Sequence, residues 1–269
     1  MTALDTVSTW LRCPVCGAGL QRVERVLACP SRHGFDIAKQ GYVNLLGRAA
    51  PANADTAHMV AARERFLSAG HYDPITDAVR AAVPHAIRLL EVGAGTGHHL
   101  ARILDHLPDA HGLAADISVA AARRAARRHR RMAAVVADTW EGLPLADRSV
   151  EAVLCIFAPR NAAEFARVLT TDGVVVVVLP HPEHLRELRT AHGLLEVGED
   201  KVARLVRSAH GLLEPVARTD ISYDLDLNGQ QATDLVAMGP NAFHGSPTIP
   251  SSRVRVSVTC VTLAAVDRP

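Results

Sequence analysis

At 269 residues, 48% of them apolar, the chain can hold one large domain with a satellite and bury a sizeable core. Its formal net charge of +1 neither demands nor excludes a nucleic-acid partner. No apolar run approaches the length of a membrane span, and residues 1–12 lack the basic and apolar regions of a signal peptide, which predicts a cytoplasmic protein with no membrane partner.

Near the N-terminus, Cys13, Cys16, Cys29 and His33 follow the spacing Cys-x2-Cys-x12-Cys-x3-His. Three thiolates and an imidazole are a usual donor set for structural zinc, and four protein ligands leave no position for water. A disulfide is the competing reading, but a cytoplasmic protein keeps its thiols reduced. A redox pair would account for Cys13 and Cys16 and not for the matched second pair. A module of about forty residues also needs such a staple to fold. Residues 1–50 hold six basic side chains (Arg12, Arg22, Arg25, Arg32, Lys39, Arg48) against three acids (Asp5, Glu24, Asp36). That excess fits a surface gripping RNA phosphates, and equally an ordinary solvated face. Cys155 and Cys260 lie in apolar runs and read as inert buried thiols.

Residues 47–58 show no apolar period, which predicts a flexible connection. Helices are predicted over 59–67 and 75–83, ahead of an apolar strand over 87–92. That strand runs into Glu91-x-Gly93-x-Gly95-x-Gly97 and then a helical period. Glycines there let bare backbone approach a ligand, at the end of a parallel strand where open α/β sheets bind nucleotide-like groups. A dinucleotide fingerprint would need glycine where His98 stands. The pattern is similar to motif I of S-adenosylmethionine-dependent methyltransferases, whose glycines pass beside the cofactor's amino-acid portion and ribose. Two further apolar runs end in acids. Residues 112–115 lead to Asp116, placed to take both ribose hydroxyls. Residues 133–137 lead to Asp138 and Thr139, where such methyltransferases put a polar residue against the adenine edge. Either acid alone reads as a cap or turn residue; three strand ends in register favour the cofactor.

Arg123, Arg124, Arg127, Arg128, Arg130 and Arg131 form the densest positive run, predicted on the helix after Asp116. It is either a solvated face or a ridge for phosphates. A strand at 150–157, a helix at 162–169, a turn at 171–173, a strand at 174–179 and a helical region over 182–206 follow. Alternating apolar strands at 219–227 and 253–264 close the pattern. The predicted fold is doubly wound α/β: a seven-stranded, Rossmann-like methyltransferase sheet with a small N-terminal zinc-binding domain. Its parts are a zinc-binding, RNA-recognition domain (1–46), a linker with helices (47–86) and the S-adenosylmethionine-dependent domain (87–269).

Cys-Pro-x-Cys at 13–16, Cys-Pro-x-x-His at 29–33, the run 35–46 and Ala62-Arg63-x-x-Phe66-Leu67-x-Ala69-Gly70-His71-Tyr72 resemble the RlmA family of bacterial 23S rRNA (guanine-N1)-methyltransferases. Asp116-Ile117-Ser118, Ile156-Phe157-Ala158-Pro159 and Met238-Gly239-Pro240 extend the resemblance along nearly the whole chain, with departures at Gly239 and Asn241. The resemblance implies structural zinc on Cys13, Cys16, Cys29 and His33. It also implies S-adenosylmethionine against Tyr72, Gly95, Thr96 and His184, to which the glycine turn and strand-end pattern adds Glu91, Gly93, Gly97, Asp116, Ile117, Asp138 and Thr139. The activity implied is methyl transfer to N1 of a guanine in a 23S rRNA hairpin loop near the peptide exit tunnel. The family includes macrolide-resistance enzymes of antibiotic producers, and a homodimer is a further implied trait.

In-line transfer to a nitrogen needs chiefly positioning. Guanine N1 must also lose a proton, so a base, or a donor to the developing oxyanion at O6, should assist. Arg160, in the loop after the strand at 150–157, is the candidate donor, and no residue is identified as the base. Two other classes fit part of the pattern: a small-molecule methyltransferase with a structural zinc, and a cofactor-binding RNA-structure factor without chemistry.

Overall fold

The computed structural model describes residues 2–244 and 248–266. A short helix, α1 (Ala3–Val7), opens the chain under a reciprocal cap between Thr2 and Asp5. β1 (Gln21–Val23), β2 (Val26–Ala28) and β3 (Gly34–Asp36) then form a small antiparallel sheet in that order. β4 (Val43–Asn44) leaves it for the main body. Next come α2 (Ala57–Ser68), capped by the Thr56 side chain, and α3 (Asp73–Ala81), with proline in its first turn. The alternating part follows: β5 (Arg88–Val92), α4 (His98–His106), β6 (His111–Asp116), α5 (Val119–Ala125), β7 (Met132–Val136), β8 (Val150–Ile156), α6 (Ala162–Val168) and β9 (Leu169–Pro180). α7 (Arg186–His192), α8 (Lys201–Ala209), β10 (Leu213–Leu227), α9 (Gly229–Ala237) and β11 (Ser252–Ala265) complete the chain.

The large sheet has the order β10-β11-β9-β8-β5-β6-β7-β4. Neighbours from β9 to β4 are parallel, and β11 is antiparallel to both β9 and β10. From β5 the chain steps outward through β6 to β7, then returns to β8 and β9 on the other side. The crevice between the carboxyl ends of β5 and β8 is therefore the topological switch point, where such sheets hold ligands. Residues 132–136, 152–156 and 175–179 are buried without alternation, as expected of parallel strands covered on both faces.

Two cores flank the sheet. One joins Leu90, Val92 and Leu113 to Leu4, Trp10, Leu11, Leu20 and Leu27 of the N-terminal module. The other joins Leu89, Ile103 and Val176 to Phe66, Ile75 and Leu235. Each buried Leu or Phe contributes about 1.5–3 kcal/mol. The module is too small to collect enough of this alone, and it shares the core of the sheet instead.

Seven strands take the expected arrangement, and an eighth is added from the N-terminal segment: Val43 pairs with Val135 and Asn44 with Val136. Three local expectations are corrected. The helical region over 182–206 is two helices, because Gly193 ends α7 at φ +59. The turn at 171–173 lies inside β9, where the pairing jumps from Val150–Leu169 to Ala152–Val174. Gly173 permits this, since a Cβ there would lie 2.8 Å from the Glu151 carbonyl. The arginine run outlasts its helix, for α5 ends at Ala125 and the Arg131 guanidinium turns back onto the carbonyls of Leu104, Leu107, Pro108 and Ala110. Among the described residues no helix is long and apolar enough to cross a membrane.

Candidate functional site

The ligand atoms of Cys13, Cys16, Cys29 and His33 lie within 4.8 Å of one another. Cys16 Sγ is 3.7 Å from Cys29 Sγ, and His33 Nδ1 is 3.6 Å from Cys13 Sγ and 3.4 Å from Cys29 Sγ. Such separations are the edges of a tetrahedron around one ion at zinc-ligand bond lengths. Gly17 at φ +72 and Arg32 at φ +65 give the two turns that present the ligands. The Ala18 backbone holds the Cys16 thiol down at about 6, while burial pushes Cys13 up. Donor set and spacing fit a structural Cys3His zinc site.

At the end of β5, Gly93, Gly95 and Gly97 adopt φ of +60, +56 and +68, the left-handed region that glycine enters freely. A Cβ on Gly93 would stand 2.5 Å from the Ala158 Cβ, and one on Gly95 3.0 Å from the Arg63 guanidinium. Thr96, between Gly95 and Gly97, is buried with a hydroxyl that has no partner among the described residues. An orphaned hydroxyl in a Cβ-free cradle fits a polar ligand lying on this turn. Glu91 is fully buried beneath it. Its carboxyl oxygen accepts the Leu100 N–H in the first turn of α4 at 3.2 Å, and burial pushes the group up to about 8. Asp116, at the tip of β6, accepts N–H groups from Gly95 at 2.7 Å and Ser118 at 2.8 Å. Burial raises its carboxyl in spite of those bonds. Ile117 follows, half-buried.

The connection expected to be flexible is tied across this site. Asp55 pairs with Arg63 of α2, whose second nitrogen donates to the Met238 carbonyl at 2.6 Å. The Asp55 carbonyl accepts the Ser118 hydroxyl at 2.6 Å. Arg48 bridges Asp138 at 2.8 Å and Glu141 at 2.9 Å. The other Asp138 oxygen accepts the Trp140 N–H at 2.9 Å. Thr139 is buried, and its carbonyl accepts the Asn161 amide at 3.0 Å. A cavity of about 780 Å³ opens beside Asp138, lined by Arg12, Cys13, Glu141 and Arg167 among others, so the zinc module borders this end of the site.

On the other side of the glycine turn, four rings gather. Tyr72 meets Phe66 edge-on at 5.1 Å and lies 5.9 Å from Phe157 and 6.4 Å from His184. Phe157 stacks on His184 at 5.7 Å with 25° between planes. His184 Nδ1 accepts the Ser257 N–H at 3.2 Å, which leaves the ring proton on Nε2. Burial, then the nearby Arg189 and Lys201, holds this imidazole down at about 4, so it is neutral at pH 7. Arg160 is half-exposed in the loop after β8 and has no acid partner among the described residues.

The structure thus brings Tyr72, Glu91, the glycine turn, Asp116, Ile117 and His184 around the switch point, with Asp138 and Thr139 one strand beyond β6. The arginine run is divided. Arg124 and Arg128 pair with Glu64, Arg128 also donates to His98, and Arg131 caps backbone carbonyls. Arg123, Arg127 and Arg130 are exposed. Sequence reasoning assigned no role to Arg63 or Phe157, although both stand within motifs it singled out. Asp55 carried no signal at all, because its partners lie elsewhere in the chain.

Residues 11–50 match the family model described as "RlmA, N-terminal", a zinc ribbon, and residues 89–173 match that of a methyltransferase domain. The chain is 46% identical to a Micromonospora griseorubida protein assigned as a 23S rRNA (guanine-N1)-methyltransferase, over 96% of this chain and 95% of that one. It is 43% identical to the 23S rRNA (guanine(748)-N1)-methyltransferase of Streptomyces fradiae, over 90% and 88%. Among solved structures, a chain of the Haloferax volcanii complex between the Trm112 methyltransferase activator and a methyltransferase aligns with a TM-score of 0.52 at 17% identity. That alignment covers 80% of this chain and 99% of the other, a likeness of fold alone.

Proposed function

The chain belongs to the RlmA family of 23S rRNA (guanine-N1)-methyltransferases, and from that premise we propose that it transfers the methyl group of S-adenosylmethionine to N1 of a guanine in a 23S rRNA hairpin loop near the peptide exit tunnel. The observation that carries this reading is the 46% identity along 96% of the chain, which spans both the zinc ribbon and the methyltransferase domain. The Streptomyces fradiae relative is named for guanine 748, and the same nucleotide is the proposed target here.

In this reading Gly93, Gly95, Thr96 and Gly97 cradle the cofactor, with Glu91 bracing the turn from below. Asp116 and Ile117 take the ribose, Asp138 and Thr139 the adenine, and Tyr72 and His184 the methyl end. The bound cofactor supplies a methyl group made electrophilic by its sulfonium. The residues of the chain then have to present N1 in line with it and hold it there. As N1 loses its proton, negative charge develops at guanine O6. Arg160 and the Nε2–H of neutral His184 are the donors assigned to meet it. Zinc on the four N-terminal ligands would leave no open position for chemistry and would clamp the module's two ligand turns together.

The test is methylation of unmodified large-subunit rRNA, followed by primer extension, because a methyl on N1 blocks base pairing and stops reverse transcriptase. A single stop at the loop guanine is expected. Label incorporated without any stop would refute N1 of guanine as the acceptor. The reading extends to tylosin-type macrolide resistance, since the modified loop borders the tunnel. Expression in a sensitive host should raise the inhibitory concentration, and an unchanged value would refute that extension.

A further inference from the structure

Phe157 follows β8 directly at the switch point and is the outermost ring of its cluster, 39% exposed against 3% for Tyr72 and 8% for His184. Its backbone stands at φ +55, a conformation that bulky side chains rarely adopt and that gathers at functional sites. The chain therefore strains a bulky residue and still leaves its ring wet, the reverse of what core packing favours. Support comes from behind, where His184 stacks on the ring and is itself fixed by the Ser257 N–H. The next residue, Ala158, abuts Gly93 so closely that no Cβ would fit between them. The ring consequently borders the turn that cradles the cofactor.

α8 packs on the sheet face opposite Phe66 and Tyr72, and its first residue, Lys201, is near enough to His184 for its charge to act on that ring. It packs Leu205 and Ala209 into the core that holds Phe165 of α6, the helix that begins just after Arg160. Lys201, Arg204 and Arg207 recur along α8 at intervals of three, and none forms a salt bridge among the described residues. Arg160 lies close enough for its charge, with that of Arg204 and Arg189, to join burial in lowering the Lys201 ammonium. Glu199 and Asp200 precede the helix, two acids against the four cations Arg160, Lys201, Arg204 and Arg207. Four cations against two acids leave a positive excess that suits an anion.

We propose that this face seats the acceptor nucleotide: the exposed ring of Phe157 stacks on the extruded purine, and Lys201, Arg204 and Arg207 hold the phosphates on either side of it. The proposal rests on the rRNA reading above and adds to it which residues meet the RNA. A base splayed out of a loop is commonly held on an aromatic face, with cations along its backbone.

The experiment uses the zinc-loaded full chain, a fluorescent hairpin RNA carrying the target loop, and parallel methyl-transfer kinetics. Phe157→Ala should lower kcat/KM for RNA by about 5- to 150-fold, the range of a lost base stack. It should leave S-adenosylmethionine affinity and the salt dependence of RNA binding unchanged, and Phe157→Trp should restore activity. Lys201→Gln, Arg204→Gln and Arg207→Gln combined should flatten the slope of log K against log salt by about 2–3. Equal slopes for this variant and the wild type overturn the phosphate contacts. A Phe157→Ala protein that loses cofactor affinity as much as RNA turnover overturns the stacking role. Wild-type protein that methylates the RNA while the variants match it overturns this proposal and leaves the rRNA reading standing. Wild-type protein that neither binds nor methylates the RNA overturns both.

Discussion

Gly93→Ala tests whether the glycine turn and the acceptor loop are one packed unit. The new methyl carbon would lie 2.5 Å from the Ala158 Cβ, and φ at this position is +60. Non-bonded carbons prefer about 3.5–4.0 Å, so the loop must retreat by roughly 1 Å. Ala158 has no rotamer with which to yield, which leaves backbone movement. Overpacking of this kind costs about 1–3 kcal/mol, and a left-handed alanine adds about 1–2 kcal/mol. Gly211 supplies the control, because its φ is +74 and nothing stands within 4 Å of the point a Cβ would occupy. Gly211→Ala therefore carries the backbone cost alone. The difference of about 1–3 kcal/mol should appear as a melting temperature roughly 2–12 °C lower for Gly93→Ala than for Gly211→Ala. Scanning calorimetry of both variants measures it. Methyl transfer should fall in Gly93→Ala even well below its melting point, because Phe157 and Arg160 flank the displaced residue, and should persist in Gly211→Ala. Melting temperatures within about 1 °C of each other would refute the packing argument.

Elemental analysis should find one zinc per chain, absent from Cys29→Ser, and the variant should melt earlier because the module shares its core with the sheet; full zinc content in Cys29→Ser would remove it from the ligand set. Asp116→Asn should weaken S-adenosylmethionine binding by about 10- to 150-fold, the worth of a hydrogen bond to a charged group, and titration calorimetry giving a Kd within about twofold of wild type would exclude a ribose contact. Glu91, ordinarily near 4.5 and pushed up to about 8 in the fold, stays protonated while the unfolded chain ionises. Its contribution to stability is therefore full below 4.5 and is lost as pH rises toward 8. Glu91→Gln, which can still accept the Leu100 N–H, should flatten the decline of melting temperature over that window in cofactor-free protein; parallel pH profiles would show that Glu91 is not the group responsible.

The metal ligands and the glycine turn were legible because each is a local device. Cys13 and Cys16 share one turn and Cys29 and His33 another, so spacing along the chain already encodes a donor set. The strand, turn and helix around Gly93 are contiguous, and apolar runs ending in Asp116 and Asp138 mark strand tips without any knowledge of pairing. The doubly wound α/β class was legible from the alternation of element types, because parallel neighbours need a crossover connection; the strand order came from the structure. What the sequence could not show is whatever depends on distant segments meeting. Arg48 reaches Asp138 across 90 positions, and Asp55 reaches Ser118 across 63, so a stretch with no periodicity becomes a strap over the site. The two-residue strand β4 has too little pattern to read and exists only because β7 offers an open edge. Phe157 and His184 stack because β8 and the loop after β9 end side by side. Local chemistry, written in neighbouring residues, marked the candidate groups for metal and cofactor; the approach of remote elements, a matter of packing, decided what encloses them and which ring is left facing the solvent.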